Sequence, residues 1–211
     1  MIARIVSLFI GYFCGCFLTA EVVAYKVSGK SAAELGDTGN PGMANIMASL
    51  GFLPGLITLA GDLGKCILAA ELSFLLFHGI GWIVVLYAGL GCTLGHDFPF
   101  WRRFEGGKGV ATTSMAVGIY KFVPGLASNI IGMLTVFLTK YLCVGGPVIP
   151  MSYMVFMAIA HDWEAVGIAA VLTLLSFKAH CPQLLGIRNS RTKKTDVLLL
   201  IRRKLRKKND E

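Results

Sequence analysis

Two uncharged apolar runs, residues 82–95 and 110–120, flank a polar island at residues 96–109, and this alternation is what most constrains the fold. Neither run holds an Asp, Glu, Lys or Arg. The island holds His96, Asp97, Arg102, Arg103, Glu105 and Lys108, with glycines at 106, 107 and 109. Across the 211 residues, 55% are hydrophobic and 15% charged, against roughly 25% charged in average soluble domains. So little polar surface cannot cover a water-facing fold, and the chain is therefore read as a membrane protein.

Membrane-spanning helices are expected at residues 5–24, 51–70, 72–95, 110–125, 126–142, 148–160 and 163–177. Each crossing needs about 20 residues, so the length accommodates seven spans, with six as the alternative. Several of these runs are short, which implies shifted boundaries or a locally thinned bilayer. The first run is too long for a signal-peptide core and lacks a clear cleavage site, so it reads as the first span. The expected fold is an all-α integral membrane protein: a compact bundle of about seven transmembrane helices over residues 1–187, then a basic tail over 188–211.

Ten of the twenty Lys and Arg lie in residues 188–211. After a membrane bundle, such a tail reads as cytoplasmic and drawn to anionic lipid headgroups, in preference to nucleic acid. Counting back from a cytoplasmic tail puts Lys26, Lys30, Arg102, Arg103, Lys108 and Lys140 in cytoplasmic connections. Glu71, His78, Lys121 and the patch at residues 161–164 then fall in outer connections, and the N-terminus lies outside. Residues 28–45, the island and the segment at His180 thereby share the cytoplasmic side. Six cysteines (14, 16, 66, 92, 143 and 181) show no zinc spacing. They read as small buried residues, and no metal site is expected.

Three constellations can carry chemistry. The first is Gly36-Asp37-Thr38-Gly39-Asn40-Pro41-Gly42-Met43-Ala44-Asn45. Glycines let a backbone approach an anion and turn its N–H groups toward it, and Asn45 opens a helix whose N-terminus attracts negative charge. An ordinary Gly/Asn/Pro turn before a helix cap also fits. The second is the island. Gly106, Gly107, Lys108 and Gly109 can wrap a phosphate with N–H groups and one ammonium, although the Walker pattern is absent. His96 is open to three roles: general base, phosphate ligand or loop-fixing hydrogen-bond donor. Arg102 and Arg103 read as snorkelling interface cations. The third is His180-Cys181-Pro182-Gln183, read as lying just beyond the last span, where His180 either caps a helix or joins a site. Asp62 and Lys65, at i,i+3 in an apolar run, read as a structural ion pair. Glu21 has no evident partner. No nucleophile elbow or metal cage is visible, so binding and positioning must do most of the catalytic work.

Together the three segments resemble the bacterial acyl-phosphate:glycerol-3-phosphate acyltransferases, the PlsY type. That family's first motif reads roughly Gly-Ser-Gly-Asn-x-Gly-Ala-Thr-Asn, and residues 37–45 follow it with Thr38 for the serine. Asp62 and Lys65 match a downstream Asp-x-x-Lys. Residues 95–99 and 104–112 match Gly-His-x-Phe-Pro and Phe-x-Gly-Gly-Lys-Gly-Val-Ala-Thr closely. His180 matches the histidine of a final His-x-x-Asn, with Gln183 in the asparagine place. Ala48 stands where the family usually has an arginine three residues after the first motif.

The resemblance implies a seven-span enzyme of the bacterial inner membrane. It would transfer a fatty acyl group from acyl phosphate to the 1-hydroxyl of glycerol 3-phosphate, in phospholipid synthesis, and needs no cofactor. Lys108 with the Gly106–Gly107 backbone would hold one phosphate. Thr38, Asn40, Asn45 and the Gly39 and Gly42 backbone would help hold the other substrate, and His180 and Gln183 would complete the site. His96, His180 or the donor's own phosphate would take the proton. Partners would be the two substrates, membrane lipids and a soluble enzyme that supplies acyl phosphate. The competing readings are a transporter or lipid-binding protein that keeps the phosphate loops, or an acyltransferase with another phosphorylated acceptor.

Overall fold

A computed structural model describes residues 1–36, 39–189, 191, 192 and 194. Its helices are α1 (Ile2–Gly15), α2 (Thr19–Ser28), α3 (Met43–Leu50), α4 (Phe52–Phe77), α5 (Ile83–Asp97), α6 (Val110–Tyr120), α7 (Phe122–Thr139), α8 (Leu142–Ile159) and α9 (Trp163–Arg188). Single 3₁₀ turns lie at Ala32–Glu34, His78–Ile80 and Phe100–Arg102. Six segments are long and apolar enough to cross a membrane: Ile2–Ser28, Phe52–Ile80, Ile83–Arg102, Phe122–Thr139, Leu142–Ile159 and Trp163–Arg188. The seventh, α6, has only 11 residues, well short of the ~20 needed for a full crossing. The multi-pass all-α architecture agrees with the sequence reading.

Several expected boundaries move. The break placed at Glu71 lies inside α4, which runs unbroken from Phe52 to Phe77. α8 starts at Leu142 and accommodates Pro147 and Pro150 within its length. α9 continues eleven residues past the expected stop at 177, through Pro182 to Arg188. His180 is therefore a residue of α9 and not a group beyond its end. Of the tail, only 188, 189, 191, 192 and 194 are described, so the expected interfacial helix lies outside the described residues.

The first span is broken. α1 stops at Gly15, and α2 restarts at Thr19. Backbone groups freed by such a break need partners where water is scarce. Lys65 Nζ donates to the carbonyls of Gly15 (3.2 Å) and Phe17 (2.8 Å), and Trp101 Nε1 donates to that of Cys16 (2.8 Å).

Small residues bring α1 and α5 together. Gly11 and Gly15 of α1 face Ala88 and Cys92, while Gly91 and Gly95 of α5 face Leu8 and Tyr12. An added Cβ at any of these four would sit 2.0–2.1 Å from a carbonyl oxygen of the opposite helix. Each helix thus carries Gly-x-x-x-Gly, the spacing that permits close backbone approach in lipid. The main core joins α5, α6, α8 and α9 through Leu86, Val117, Ile149, Tyr153, Met157 and Leu172. The C-terminal end of α5, the N-terminal ends of α6 and α8, and the C-terminal end of α9 consequently meet at one end of the bundle.

Candidate active site

The island forms a tight turn over the end of α5. After the 3₁₀ turn at Phe100–Arg102, Arg103 and Phe104 adopt left-handed backbone (φ 53° and 63°), and Gly109 (φ 64°) starts α6. Gly107 N–H donates to His96 O (2.8 Å). A Cβ on Gly107 would lie 2.0 Å from His96 Nε2, and one on Gly106 would lie 2.1 Å from His96 O. The glycines thus serve packing: they let the loop lie flush on the helix end below it.

His96 is 4% exposed. Its Nδ1 lies 2.8 Å from Lys65 Nζ, and Lys65 Nζ lies 3.0 Å from Asp62 Oδ1. Lys65 therefore directs its three ammonium hydrogens to two α1–α2 break carbonyls and His96, with Asp62 as its ion-pair partner. Asp62 and Lys65 do form the expected ion pair, and His96 joins it. His96 fastens the loop as an acceptor and not as the expected donor: its Nδ1 meets the Lys65 ammonium and its carbonyl takes Gly107 N–H. One nitrogen faces Lys65, and the other faces the underside of Gly107.

Lys108 is half-buried and makes no hydrogen bond or ion pair among the described residues. Burial lowers its pKa from the usual lysine value, an effect opposed by the nearby Cys143 thiol of α8. His180, 1% exposed, lies close enough to feel the charge of Lys108. Its Nδ1–H donates to Ser176 O (2.9 Å), which leaves Nε2 as the acceptor of the neutral ring. That Nε2 is buried without a partner. Gly146 of α8 backs the ring, where a Cβ would come 3.0 Å from Cε1. Gln183, one turn on, likewise has a buried Oε1 without a partner. Lys108, His180 and Gln183 thus gather at one end of the bundle with unspent polar atoms.

The first constellation falls in the connection between α2 and α3 and the first turn of α3, and its Asp37 and Thr38 lie outside the described residues. Gly39 is left-handed (φ 55°) and lies against Ala33 O. Asn40 and Gly42 close a turn, with Gly42 N–H donating to Asn40 O (2.8 Å). Asn45, third in α3, is buried, and its Nδ2 donates to Leu35 O (2.9 Å) and Ala32 O (3.3 Å). It holds this loop in shape. Ala48 is exposed on α3.

The matched sequence settles the family. The profile described as glycerol-3-phosphate acyltransferase matches residues 5–189. The chain belongs to this family. It is 36% identical over 200 residues to glycerol-3-phosphate acyltransferase 1 of Lactobacillus johnsonii, covering 95% of this chain and 96% of that one. It is 34% identical to the Lactobacillus acidophilus protein of the same name, covering 96% and 97%. It also resembles the crystal structure of PlsY, an integral membrane glycerol 3-phosphate acyltransferase, in its glycerol 3-phosphate form. The TM-score is 0.82 and the identity 25%, covering 94% of this chain and 98% of PlsY.

Two residues of this acyltransferase escaped the sequence reading. Glu21 has partners after all: its Oε2 accepts from Ser31 Oγ and Ala32 N–H (both 3.1 Å), and its Oε1 lies 2.9 Å from Arg102 Nη1. Arg102 is accordingly no snorkelling cation; it joins the second loop to the first. No spacing rule links residues 21 and 102. The paired Gly-x-x-x-Gly runs were missed as well, although their spacing stands in the sequence as a contact signal.

Proposed function

We propose that this family member transfers a fatty acyl group from acyl phosphate to the 1-hydroxyl of glycerol 3-phosphate, giving lysophosphatidic acid and inorganic phosphate. Its relatives carry the name glycerol-3-phosphate acyltransferase, and PlsY has been crystallised in glycerol 3-phosphate and lysophosphatidic acid forms. The observation that carries the reading is local. A half-buried ammonium, Lys108, and a buried imidazole nitrogen, His180 Nε2, lie near each other without protein partners, beneath a glycine loop that opens a helix. Such an arrangement favours phosphate over other ligands.

The acceptor hydroxyl oxygen attacks the acyl carbonyl carbon. The new ester C–O bond forms as the anhydride C–O bond breaks, and phosphate departs with the electron pair. The hydroxyl proton ends on that phosphate, directly or through His180 Nε2. Lys108 holds phosphate charge, and the first loop, with Thr38, Gly39, Asn40 and Gly42, positions the acceptor. Because phosphate is already a good leaving group, no acyl-enzyme intermediate is needed, and positioning supplies most of the rate. A groove of about 500 Å³ between α4, α6 and α7, lined by Leu63, Met115, Gly118, Ile119 and Leu126, offers the acyl chain a path along α6.

The loop end faces the cytoplasm of a bacterial inner membrane in this reading. Lys26, Lys30, Arg103, Lys108 and Lys140 collect there, in keeping with the positive-inside rule. The decisive assay uses purified protein in nanodiscs with acyl phosphate and labelled glycerol 3-phosphate. Lysophosphatidate and phosphate should appear one to one. Folded protein that yields neither product overturns the reading. Product from another phosphorylated acceptor alone redirects it, and Ala48, in the place of an arginine, makes the acceptor the substrate to vary first.

A further inference from the structure

We propose that Glu21 and Arg102 are a positioning pair that sets the separation of the two substrate loops and thereby governs kcat; this deepens the acyltransferase reading and rests on it. The 3₁₀ turn at Phe100–Arg102 is docked on the broken first span by neighbouring contacts. Trp101 donates to Cys16 O, Tyr12 Oη donates to Phe98 O (2.9 Å), and the Phe13 and Phe100 rings meet edge to face at 6.4 Å. Arg102 adds the charged contact, 2.9 Å from Glu21 with the two side chains 18% and 17% exposed. Immediately beyond, Arg103 and Phe104 hold left-handed backbone, which non-glycine residues keep only where the surroundings enforce it. The path from latch to Lys108 is therefore short and constrained.

On its other oxygen, Glu21 takes both Ser31 Oγ and Ala32 N–H. Ser31 and Glu34 close a capping box around the 3₁₀ turn Ala32–Glu34, and Asn45 grips both ends of that turn. One carboxylate thus bridges the two loops. Two substrates that react without a covalent intermediate need their reacting atoms aligned, and a misplacement of about 1 Å costs on the order of 100-fold in rate. A bridge between loops, touching neither substrate, acts on that alignment and not on the affinity of either loop.

The test uses Glu21→Gln, which keeps an oxygen for Ser31 and Ala32 while removing the charge facing Arg102, together with Arg102→Met, Arg102→Lys and the Gln/Met double variant, all full length in nanodiscs. Each single variant should lower kcat about 10-fold with both KM values within about 3-fold, since only alignment is lost. The double variant should be no worse than either single, and Arg102→Lys should recover most of the activity. Effects that multiply to about 100-fold in the double variant overturn the pairing. A raised KM for one substrate at unchanged kcat overturns it too, and makes Arg102 a substrate ligand. Tryptic cleavage after Lys30 and Arg103 reads the loops without catalysis. It should accelerate in Glu21→Gln and Arg102→Met but not in Arg102→Lys, and unchanged cleavage also sinks the proposal. If wild-type protein proves inactive while cleavage follows the pair, the acyltransferase reading fails and the latch stands.

Discussion

The two ends of the bundle treat charge in opposite ways. At the far end, Arg4 pairs with Glu164, which also accepts from Tyr87 Oη (3.0 Å). There too Asp162 accepts from Lys121 Nζ and Tyr120 Oη at 2.8 Å each while capping α9 at Ala165 N–H. Four helices and two connections are tied together, and each of these charges has its partner. At the loop end, Asp62, Lys65, Glu21 and Arg102 are likewise paired, but Lys108, His180 Nε2 and Gln183 Oε1 are not. Buried polar atoms left unpaired cost stability. In the proposed reading those beside the glycine loop meet a ligand, while the ion pairs of the far end close the fold. Asp97 sharpens the contrast: its carboxylate is buried beside Gly109, with both oxygens unpartnered among the described residues.

Substitutions at the two ends should therefore separate activity from stability. The largest effect is expected for Lys108→Ala: a fall in kcat/KM of about 10³-fold, as for loss of a principal charge-stabilising donor, with the unfolding temperature little changed. Since burial places the Lys108 pKa below the ordinary lysine value, and only the ammonium binds phosphate well, kcat/KM should decline as pH rises through that lowered pKa. A Lys108→Arg variant that retains activity should hold it to higher pH, and identical alkaline limbs would remove Lys108 from the phosphate contact.

Next comes the histidine pair. His180→Gln should lower kcat about 10²-fold, within the range for a proton-handling group, and leave thermal unfolding nearly intact. His96→Gln should do the reverse, lowering the unfolding temperature through loss of its contact with Lys65 while sparing more of kcat. Equal kinetic losses in the two variants would erase the distinction drawn between them.

The smallest effect belongs to the far end. Asp162→Asn should cost about 1–2 kcal/mol of stability and leave kcat and both KM values unchanged. Burial alone would raise the Asp162 pKa, but hydrogen bonds from Lys121 and Tyr120 outweigh it and hold the carboxyl below its ordinary value. A depressed carboxyl pKa stabilises the fold above the unfolded value of about 3.9 and loses that contribution as pH falls through the folded one. Wild-type protein should accordingly lose stability on acidification below about pH 4 more steeply than Asp162→Asn. Parallel acid curves would show that the Asp162 network contributes little.

The membrane class, the island and the matched motifs were legible because each depends on local composition or on short spacing. Asp62 and Lys65 at i,i+3 announced their own ion pair. Helix ends that depend on what lies across from them were not legible. Glu71 looked like a loop residue, yet α4 carries it in mid-helix. Of the two roles left to His180, the helix cap falls away, because α9 continues two turns beyond it with Pro182 tolerated inside a packed helix. His96, a histidine next to a phosphate-type loop, left three roles open in the sequence. Only its neighbours, Lys65 from α4 and Gly107 above it, reveal what its two nitrogens face.

The sequence by itself determined the solvent this chain folds in and the motifs that place it in its family. Hydrophobic run length, charge count and motif spacing are properties of neighbours along the chain. The tertiary structure alone decided which of the motif residues keep an unspent hydrogen-bonding atom, and that Glu21 and Arg102, eighty-one positions apart, join two loops. The second outcome depends on the close approach of α1 and α5 through Gly11, Gly15, Gly91 and Gly95. That approach brings the break in the first span under the turn at Trp101 and Arg102, and no local rule specifies where a backbone break will find its partners.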